Sequence, residues 1–223
     1  MPARLKALIF DFDGTLATGR YDFQGIREGV YALAGEYSVA APELESLYIL
    51  EAVERAAEII AAGQGDARSF RDRAARIILD GELRGARDSH LVPGAAEAMK
   101  RLRDEGYRLA VVTRNSRTAV ETIPGATSLA CDAFLTRESV SRVKPDPEHV
   151  RAALIAVGCE AAEAAMVGDH PMDIAVGKAA GTATVGVLTG GGTRETLGAA
   201  GADVIVESVV DLVAMLVGAG CDT

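Results

Sequence analysis

The chain has 223 residues, 49% of them hydrophobic and 25% charged, which is ordinary globular usage and excludes a disordered protein. The formal net charge is −9, from 32 acidic against 23 basic residues, and such a surface disfavours nucleic-acid binding because it repels polyphosphate backbones. A small anionic substrate stays compatible with this charge if one local pocket is cationic.

The apolar segments of the chain favour a protein outside membranes. Residues 8–10 form an apolar stretch that ends at Asp11 and is too short for a signal peptide. The run 209–219 contains Asp211 and is too short to span a bilayer. An odd number of cysteines without metal-like spacing favours a reducing compartment. These cysteines are Cys131, Cys159 and Cys221. We therefore expect a cytoplasmic protein with no membrane partner.

Short apolar runs between turn signals predict the strands. They lack polar alternation, which is typical of strands buried on both faces of a parallel sheet. Helical stretches open at Pro93, at Asp146-Pro147 and at Pro171. This alternation predicts an α/β fold, a doubly wound parallel sheet with right-handed crossovers. The runs span residues 7–10, 109–112, 133–135, 164–167, 183–188 and 204–206.

The segment between Leu16 and Leu91 departs from this alternation. It contains no convincing strand, and its apolar residues recur at helical spacing in three groups. We predict an inserted all-helical domain over residues 17–91 and an α/β core formed by residues 1–16 and 92–223. The three groups are Phe23, Ile26, Val30 and Leu33; Leu44, Leu47, Val53 and Ile60; and Phe70, Ala74, Ile77 and Ile78.

Two carboxylates, Asp11 and Asp13, directly follow the first predicted strand. Side chains at i and i+2 of an extended segment point the same way, and Gly14 allows a sharp turn. One carboxylate could attack phosphorus while the other transfers a proton. A polar turn explains an isolated Asp-x-Asp-Gly equally well. A calcium loop does not, because Thr15 and Leu16 stand where it needs Asp or Asn and then Gly.

Two later loops offer groups that could bind phosphate. Thr113 follows the strand 109–112 and precedes Arg114 and Asn115, where a hydroxyl and backbone amides at a helix start could hold phosphate oxygens. Asn115 or the serine after it could instead be an ordinary helix cap. Lys144 precedes a proline and is therefore extended, so its ammonium group could neutralise phosphate. An isolated loop lysine is more commonly solvated.

A second pair of carboxylates, Asp169 and Asp173, follows the strand 164–167. Asp169 is expected at the strand end and Asp173 in the first turn of the helix that begins at Pro171. Carboxylates around a partly hydrated site suit Mg²⁺, although Asp173 would also be a favourable charge at a helix N-terminus. His170 has no visible partner in the sequence, and we interpret it as an exposed turn residue.

The order of these motifs resembles the haloacid dehalogenase superfamily over residues 6 to 206. Each motif lies where a strand meets the following loop, the edge at which open α/β sheets bind ligands. The helical insert resembles the C1-type cap of that superfamily. Lys144-Pro145-Asp146-Pro147 and Pro93-Gly94-Ala95 make the chain most similar to phosphoglycolate phosphatase-like hydrolases.

The resemblance implies a Mg²⁺-dependent phosphatase that acts on a small phosphorylated metabolite. It implies that Asp11 becomes an aspartyl phosphate, that Asp13 is the general acid and base, and that Lys144 steadies the nucleophile and the phosphate. Mg²⁺ and Lys144 are expected to keep Asp11 ionised. The implied phosphate-binding residues are Thr113, Arg114, Asn115 and Lys144, and the implied metal ligands are Asp11, Asp13 through its carbonyl group, Asp169 and Asp173.

Several alternatives remain at this point. A phosphomutase of the β-phosphoglucomutase type would use the same core residues, and a non-catalytic binding protein on the same fold is disfavoured by the complete motif set. Dehalogenation is disfavoured by Asp13, which halide-displacing members lack. Residues 177–179 do not form a P-loop, and 190–192 with Glu195 do not form a dinucleotide fingerprint. No obligatory protein partner is indicated.

Four arginines on one predicted helix have two interpretations. They could meet a substrate carboxylate, or they could form a solvated face together with Asp66 and Asp72, which we favour. They are Arg68, Arg71, Arg73 and Arg76.

Overall fold

The computed structural model describes residues 5–218, and the chain divides into two compact units. The core unit contains the described residues up to Gly19 and from Ser89 onward, and the helical insert is Arg20–Asp88. The described strands are β1 (Ala7–Asp11), β2 (Ala17–Thr18), β3 (His90–Leu91), β4 (Arg108–Val112), β5 (Ala133–Leu135), β6 (Ala164–Gly168), β7 (Ala183–Val187) and β8 (Val204–Val206). The described α-helices are α1 (Phe23–Glu36), α2 (Ile49–Ala62), α3 (Ala67–Arg87), α4 (Ala95–Asp104), α5 (Arg117–Thr122), α6 (Glu148–Val157), α7 (Pro171–Ala180), α8 (Arg194–Ala199) and α9 (Val209–Gly218).

Six parallel strands form the sheet of the core unit, in the order β5-β4-β1-β6-β7-β8. β1 lies between β4 and β6, at the point where the strand order reverses. Asp11 is in register with Val112 of β4. All five residues of β1 are buried, which explains its continuous apolar run. The α/β fold predicted from the sequence is confirmed, and each of its six strands lies within one residue of a predicted run.

One face of the sheet is covered by α6 and α7. Val150, Ala153 and Leu154 of α6 pack with Ile9 and Met166 of the central strands in a buried apolar cluster. The predicted helix start, with Asp146 as the cap and Pro147 as the first helical residue, is shifted by one residue, since Pro147 is the cap and α6 begins at Glu148. The Asp146 carboxylate still caps this helix, accepting a hydrogen bond from the Glu148 N–H at 2.9 Å.

The expectation of no strand between Leu16 and Leu91 is wrong at the ends of that segment. β2 and β3 form a two-stranded antiparallel ribbon in which Ala17 pairs with Leu91 and Thr18 with His90. The Val92 N–H donates to the Leu16 carbonyl at 2.9 Å and continues this pairing by one residue. Strands of two residues are too short to produce a pattern of period two, so the sequence gives no signal for them.

Three helices build the insert around their own apolar core. Ile26 and Val30 of α1, Ala56 of α2 and Phe70 and Ala74 of α3 are among its buried residues. The predicted second helix begins later than its apolar spacing suggests. Leu44 follows a short 3-10 helix, Leu47 lies in a turn, and α2 begins at Ile49. Phe23, the first residue of the first helically spaced group, is 56% exposed and stacks on Tyr21.

The four arginines of α3 are exposed, and two of them form ion pairs within the insert. Arg71 contacts Glu54 at 2.8 Å, and Arg73 contacts Glu36 at 2.7 Å. Both pairs bridge neighbouring helices at the surface. The arrangement is that of a solvated charged face.

Within residues 5–218, no helix combines the length and the apolar character that crossing a membrane would require. Cys131 and Cys159 are half-buried free thiols. Cys221 lies outside the described residues.

Candidate active site

The candidate site lies at the carboxyl edge of the three central strands. Asp11 ends β1, Thr113 follows β4, and Asp169 follows β6. Parallel strands bring these ends to one edge of the sheet. Lys144 reaches the same site from the loop before α6, and Asp173 from the first turn of α7. All five side chains are buried. Four of them are of charged types, which normally lie at the protein surface in contact with water.

Lys144 is the centre of a buried ion-pair network. Its Nζ donates to Asp11 Oδ1 at 2.6 Å and to Asp173 Oδ1 at 2.6 Å. Only 2% of the lysine is exposed, so it is not the solvated loop lysine that an isolated sequence suggests. Burial acts to lower the pKa of Lys144, but Asp11 and Asp173 raise it by more, and the group is held cationic.

Burial raises the pKa of Asp11 well above its usual value. Lys144 lowers that pKa, whereas the carboxylates of Asp173, Asp169 and Asp13 raise it further. Lys144 therefore opposes only part of the rise in the pKa of Asp11. A further positive charge at the site would lower that pKa and favour the ionised carboxylate.

Asp169 has both carboxylate oxygens engaged by its surroundings. The Thr15 hydroxyl donates to Oδ1 at 3.2 Å, and the Gly191 N–H donates to Oδ2 at 2.8 Å. Burial and the neighbouring Asp173 raise the pKa of Asp169, and these two hydrogen bonds oppose the rise. The sequence does not reveal these two donors. Thr15 belongs to the Asp-x-Asp-Gly-Thr motif, and residues 190–192 resemble only an incomplete nucleotide motif, so neither pattern indicates a contact with Asp169.

Asp13 belongs to a second hydrogen-bonded group beside the ion pairs. The Thr113 hydroxyl donates to Asp13 Oδ2 at 2.8 Å, and the Asn115 side-chain amide donates to Asp13 Oδ1 at 3.0 Å. The Asn115 N–H in turn donates to the Thr113 hydroxyl oxygen at 3.0 Å. Of the two helix-cap candidates, Ser116 is the one that caps α5, by accepting the Ala119 N–H at 3.2 Å. Arg114 is half-buried beside this group.

Asp173 also uses both of its oxygens. Oδ1 accepts from Lys144, and Oδ2 accepts the His170 backbone N–H at 3.1 Å, as in a capping box at the start of α7. The exposed ring of His170 accepts the Met172 N–H through Nδ1 at 3.1 Å. His170 is thus an exposed cap residue, in agreement with its interpretation as a turn residue.

The carboxylates fit a divalent cation such as Mg²⁺. Asp11, Asp169 and Asp173 each offer one oxygen, and these oxygens lie within 4.8 Å of one another. Oxygen donors of this kind are the ones that Mg²⁺ prefers. With Asp13 nearby, four carboxylates face one ammonium group, so negative charge is in excess. A cation at this position would relieve the repulsion that raises the pKa of Asp11.

A buried histidine lies behind the site and was not singled out from the sequence. His149, in the first turn of α6, is fully buried, and its Nε2 lies 3.3 Å from the Leu135 carbonyl oxygen. A carbonyl only accepts, so Nε2 carries the proton. The same carbonyl accepts the Thr113 N–H at 3.0 Å. Burial, together with Lys144, lowers the pKa of His149 to about 4, against the opposing effect of the Leu135 carbonyl.

Comparison with known proteins agrees with this arrangement. The family model of haloacid dehalogenase-like hydrolases matches residues 5–181. Pyrophosphatase PpaX of Bacillus velezensis is 39% identical over 118 residues, 52% of this chain and 55% of that protein. A phosphoglycolate phosphatase of Rhodospirillum rubrum is 29% identical over 220 residues, 93% of this chain and 89% of that protein. The chain thus spans about half the length of some curated relatives that it matches and most of the length of others.

The fold is shared with solved structures at low sequence identity. The crystal structure of a hydrolase from Pseudomonas syringae superposes with a TM-score of 0.71 at 21% identity, covering 96% of this chain and 98% of that one. Identity this low shows a common fold and leaves chemistry to the site itself. The family match extends over most of the sequence and includes Asp11, Asp13, Lys144 and Asp169. The chain belongs to the haloacid dehalogenase-like hydrolase family.

Proposed function

We propose that the protein is a Mg²⁺-dependent phosphatase that hydrolyses a small phosphate monoester through an aspartyl phosphate on Asp11. The observation that carries the proposal is the buried contact of Asp11 with Lys144 beside the oxygens of Asp169 and Asp173. A carboxylate held in this way is fixed in orientation and faces a site with an excess of negative charge, which a bound divalent cation would offset.

The first step forms a bond between a carboxylate oxygen of Asp11 and phosphorus and breaks the bond from phosphorus to the ester oxygen. Lys144 holds Asp11 Oδ1, so the other oxygen is the one available to attack. Asp13, in its protonated form, gives its proton to the leaving alcohol oxygen. In the second step water attacks the same phosphorus, Asp13 takes one proton from that water, and inorganic phosphate and the Asp11 carboxylate are released.

Thr113 connects the phosphate position to the proton-transfer residue. Its hydroxyl has a single proton, which is donated to Asp13 in the structure described here. Donation to a phosphoryl oxygen would break that bond, while the bond from Asn115 to Asp13 could persist. Substrate binding is thereby expected to release one restraint on Asp13.

Bound Mg²⁺ would supply positive charge for the phosphoryl oxygens and keep Asp11 ionised. Asp11 and Asp169 are the carboxylates we assign as direct ligands, together with the Asp13 carbonyl group. Asp173, whose Oδ1 is held by Lys144, would contact the metal directly or through water. Removal of the metal with a chelator is expected to abolish turnover, and added Mg²⁺ to restore it.

The substrate is proposed from two sources. The resemblance to phosphoglycolate phosphatase-like hydrolases makes 2-phosphoglycolate the first ester to test, and the name of the Bacillus relative adds pyrophosphate. The helical insert is expected to be the cap implied by the resemblance, which favours small substrates over folded phosphoproteins. A phosphomutase of the β-phosphoglucomutase type is the second candidate, because it would use the same core residues.

The experiment is a screen of small phosphate esters and pyrophosphate with Mg²⁺ that measures both released phosphate and isomerised product. Asp11→Asn is compared with Asp72→Asn, which removes the same charge from an exposed position of α3. Fluoroberyllate should bind the wild type and not Asp11→Asn. Release of phosphate that disappears only in Asp11→Asn supports the proposal, and isomer as the main product supports the mutase. Unchanged turnover in Asp11→Asn contradicts both.

A further inference from the structure

The loop after β7, residues 189–192, contacts the site and has no part in the mechanism above. We call it the glycine loop. The Thr189 hydroxyl donates to the Gly14 carbonyl at 2.6 Å, and the Gly191 N–H donates to Asp169 Oδ2 at 2.8 Å. One loop therefore holds both the turn that follows the nucleophile and the carboxylate that ends β6.

Backbone packing around Asp169 is too tight for any side chain. A Cβ on Gly190 would collide with the Asp169 carboxylate and would lie 2.8 Å from the Cα of Gly14. A Cβ on Gly14 would lie 2.5 Å from Asp169 Oδ2, and Gly14 has φ +85° besides. The Asp169 carboxylate is thus held between two glycines, which restricts it to a single orientation.

The hydrogen bonds to this carboxylate leave room for a metal ion. Thr15 donates to Oδ1 and Gly191 to Oδ2, one donor to each oxygen. A carboxylate oxygen has two lone pairs, so each can accept one more partner. Hydrogen-bond donors that orient a metal-ligating side chain are a recurrent part of metal sites, and their loss typically weakens metal affinity 10- to 100-fold.

We infer that Thr189 and Gly190 are positioning residues that fix the Asp169 carboxylate for the metal before the metal binds. The inference rests on the proposed function only in taking Asp169 as a ligand of Mg²⁺. The hydrogen bonds and the packing that fix this orientation come from the protein itself, so metal binding does not have to restrict this side chain. Gly190 acts because it has no side chain, which leaves the space that the Asp169 carboxylate occupies. Thr189 acts through its hydrogen bond to the Gly14 carbonyl group, which connects the glycine loop to the Gly14 turn.

The test is the dissociation constant for Mg²⁺, measured by calorimetry on the full chain without substrate. Gly190→Ala should weaken binding at least tenfold, because the new Cβ displaces Asp169. Gly198→Ala is the matched control, since a Cβ there meets no atom within 4 Å and Gly198 is an exposed residue of α8. Its affinity should equal that of the wild type.

A second pair of variants covers the case in which Gly190→Ala fails to fold. Thr189→Val removes the hydroxyl group at nearly constant shape and should weaken Mg²⁺ binding several-fold. Thr189→Ser keeps the hydroxyl group and its hydrogen bond, and should bind Mg²⁺ with wild-type affinity. Wild-type affinity in both Gly190→Ala and Thr189→Val would overturn the inference. If Gly190→Ala is unfolded, Thr189→Val decides alone.

Two further results separate this inference from the proposed function. Wild-type affinity in Asp169→Asn would show that Asp169 is not a ligand and would overturn the role of the glycine loop, while the Asp11→Asn assay still tests the phosphatase. If the wild type binds Mg²⁺ with the expected loss in Gly190→Ala but hydrolyses no phosphate ester, the loop has the inferred role and the proposed function fails.

Discussion

The two units of the chain use charged residues in different ways. In the core unit, Lys144 is buried and joins Asp11 and Asp173, which lie 133 and 29 residues away along the chain. In the helical insert, Arg71 and Glu54 are 17 residues apart and form their ion pair at the surface. The short distances are similar, 2.6 Å and 2.8 Å, but the surroundings are not.

The comparison shows that the N···O distance of an ion pair does not indicate how much the pair contributes to stability. An exposed pair gains little, because water screens it and two long side chains must be ordered. A buried pair fixes its members because leaving either one alone is costly. In the core unit that cost fixes the orientation of Asp11, the proposed nucleophile, and the insert is held together by its apolar residues. The predictions below test this contrast.

The largest effect is expected for Asp13→Asn, because it removes the proposed proton-transfer group of the core unit. The kcat for an alkyl phosphate should fall roughly 10²- to 10⁴-fold, the usual contribution of general acid-base catalysis. 4-Nitrophenyl phosphate, whose leaving group needs no proton, should lose less in the phosphorylation step. Rapid-quench measurement of the aspartyl phosphate checks this, and equal losses for both esters would argue against an acid role.

Lys144→Met should destabilise the protein by about 3–5 kcal/mol, because it leaves Asp11 and Asp173 buried without their cation. Urea unfolding in the presence of a chelator measures the effect. Lys100→Met is the matched control. Lys100 contacts Asp104 at the same 2.6 Å but is 71% exposed at its side chain, so its loss should cost less than about 1 kcal/mol. Equal costs would show that burial does not distinguish the two pairs.

His149 should make the core unit sensitive to acid. Its pKa is about 4 in the folded protein and 6.5 as a free group, so the unfolded chain takes up the proton first as the pH falls. The stability contributed by neutral His149 is complete above pH 6.5 and is lost between pH 6.5 and 4, to a total of about 3 kcal/mol.

His149→Leu removes this titration and should flatten the unfolding free energy between pH 6.5 and 4 relative to the wild type. The difference between the two proteins cancels the contributions of the other acids, including Asp11 and Asp169. His90→Gln, at an exposed position of β3, should keep the wild-type slope. A His149→Leu curve parallel to that of the wild type would exclude a buried neutral histidine.

The smallest effects are expected on the arginine face of the insert. Arg71→Ala breaks an exposed pair and should cost less than about 1 kcal/mol in urea unfolding. The KM for a carboxylated phosphate ester should stay within twofold in single Arg→Ala variants at Arg68, Arg71, Arg73 and Arg76. A tenfold rise in KM for any of them would instead assign that arginine to substrate binding.

The sequence predicts the central strands well because they are buried on both faces. Runs such as Leu8-Ile9-Phe10 are continuous, and each predicted run ends at Asp, Gly, Thr or Glu. Asp11 and Thr113 could be selected because each directly follows such a run, Asp13 because it is paired with Asp11, and Lys144 because it precedes a proline. The structure brings them to one edge, whereas their catalytic roles stay predictions.

Other features depend on contacts that leave no local pattern. The bond from Asn115 to Asp13 spans 102 residues, and the packing of Gly190 on Asp169 exists only after β6 and β7 pair. His149 occupies a buried helix position that its polarity would assign to the surface. In the insert, Leu44 follows helical spacing but lies at the end of a 3-10 helix, where Pro42 is in the first turn.

The ribbon of β2 and β3 has a consequence for protein engineering. Thr18 and His90 are paired neighbours, so the chain leaves the core unit and returns to it at one point. Residues 20–88 are therefore inserted between two adjacent chain ends, and a short turn could join β2 and β3 in their place. Domains commonly tolerate insertions whose two ends are close together. We expect the core unit to accept inserted segments of different length at this position.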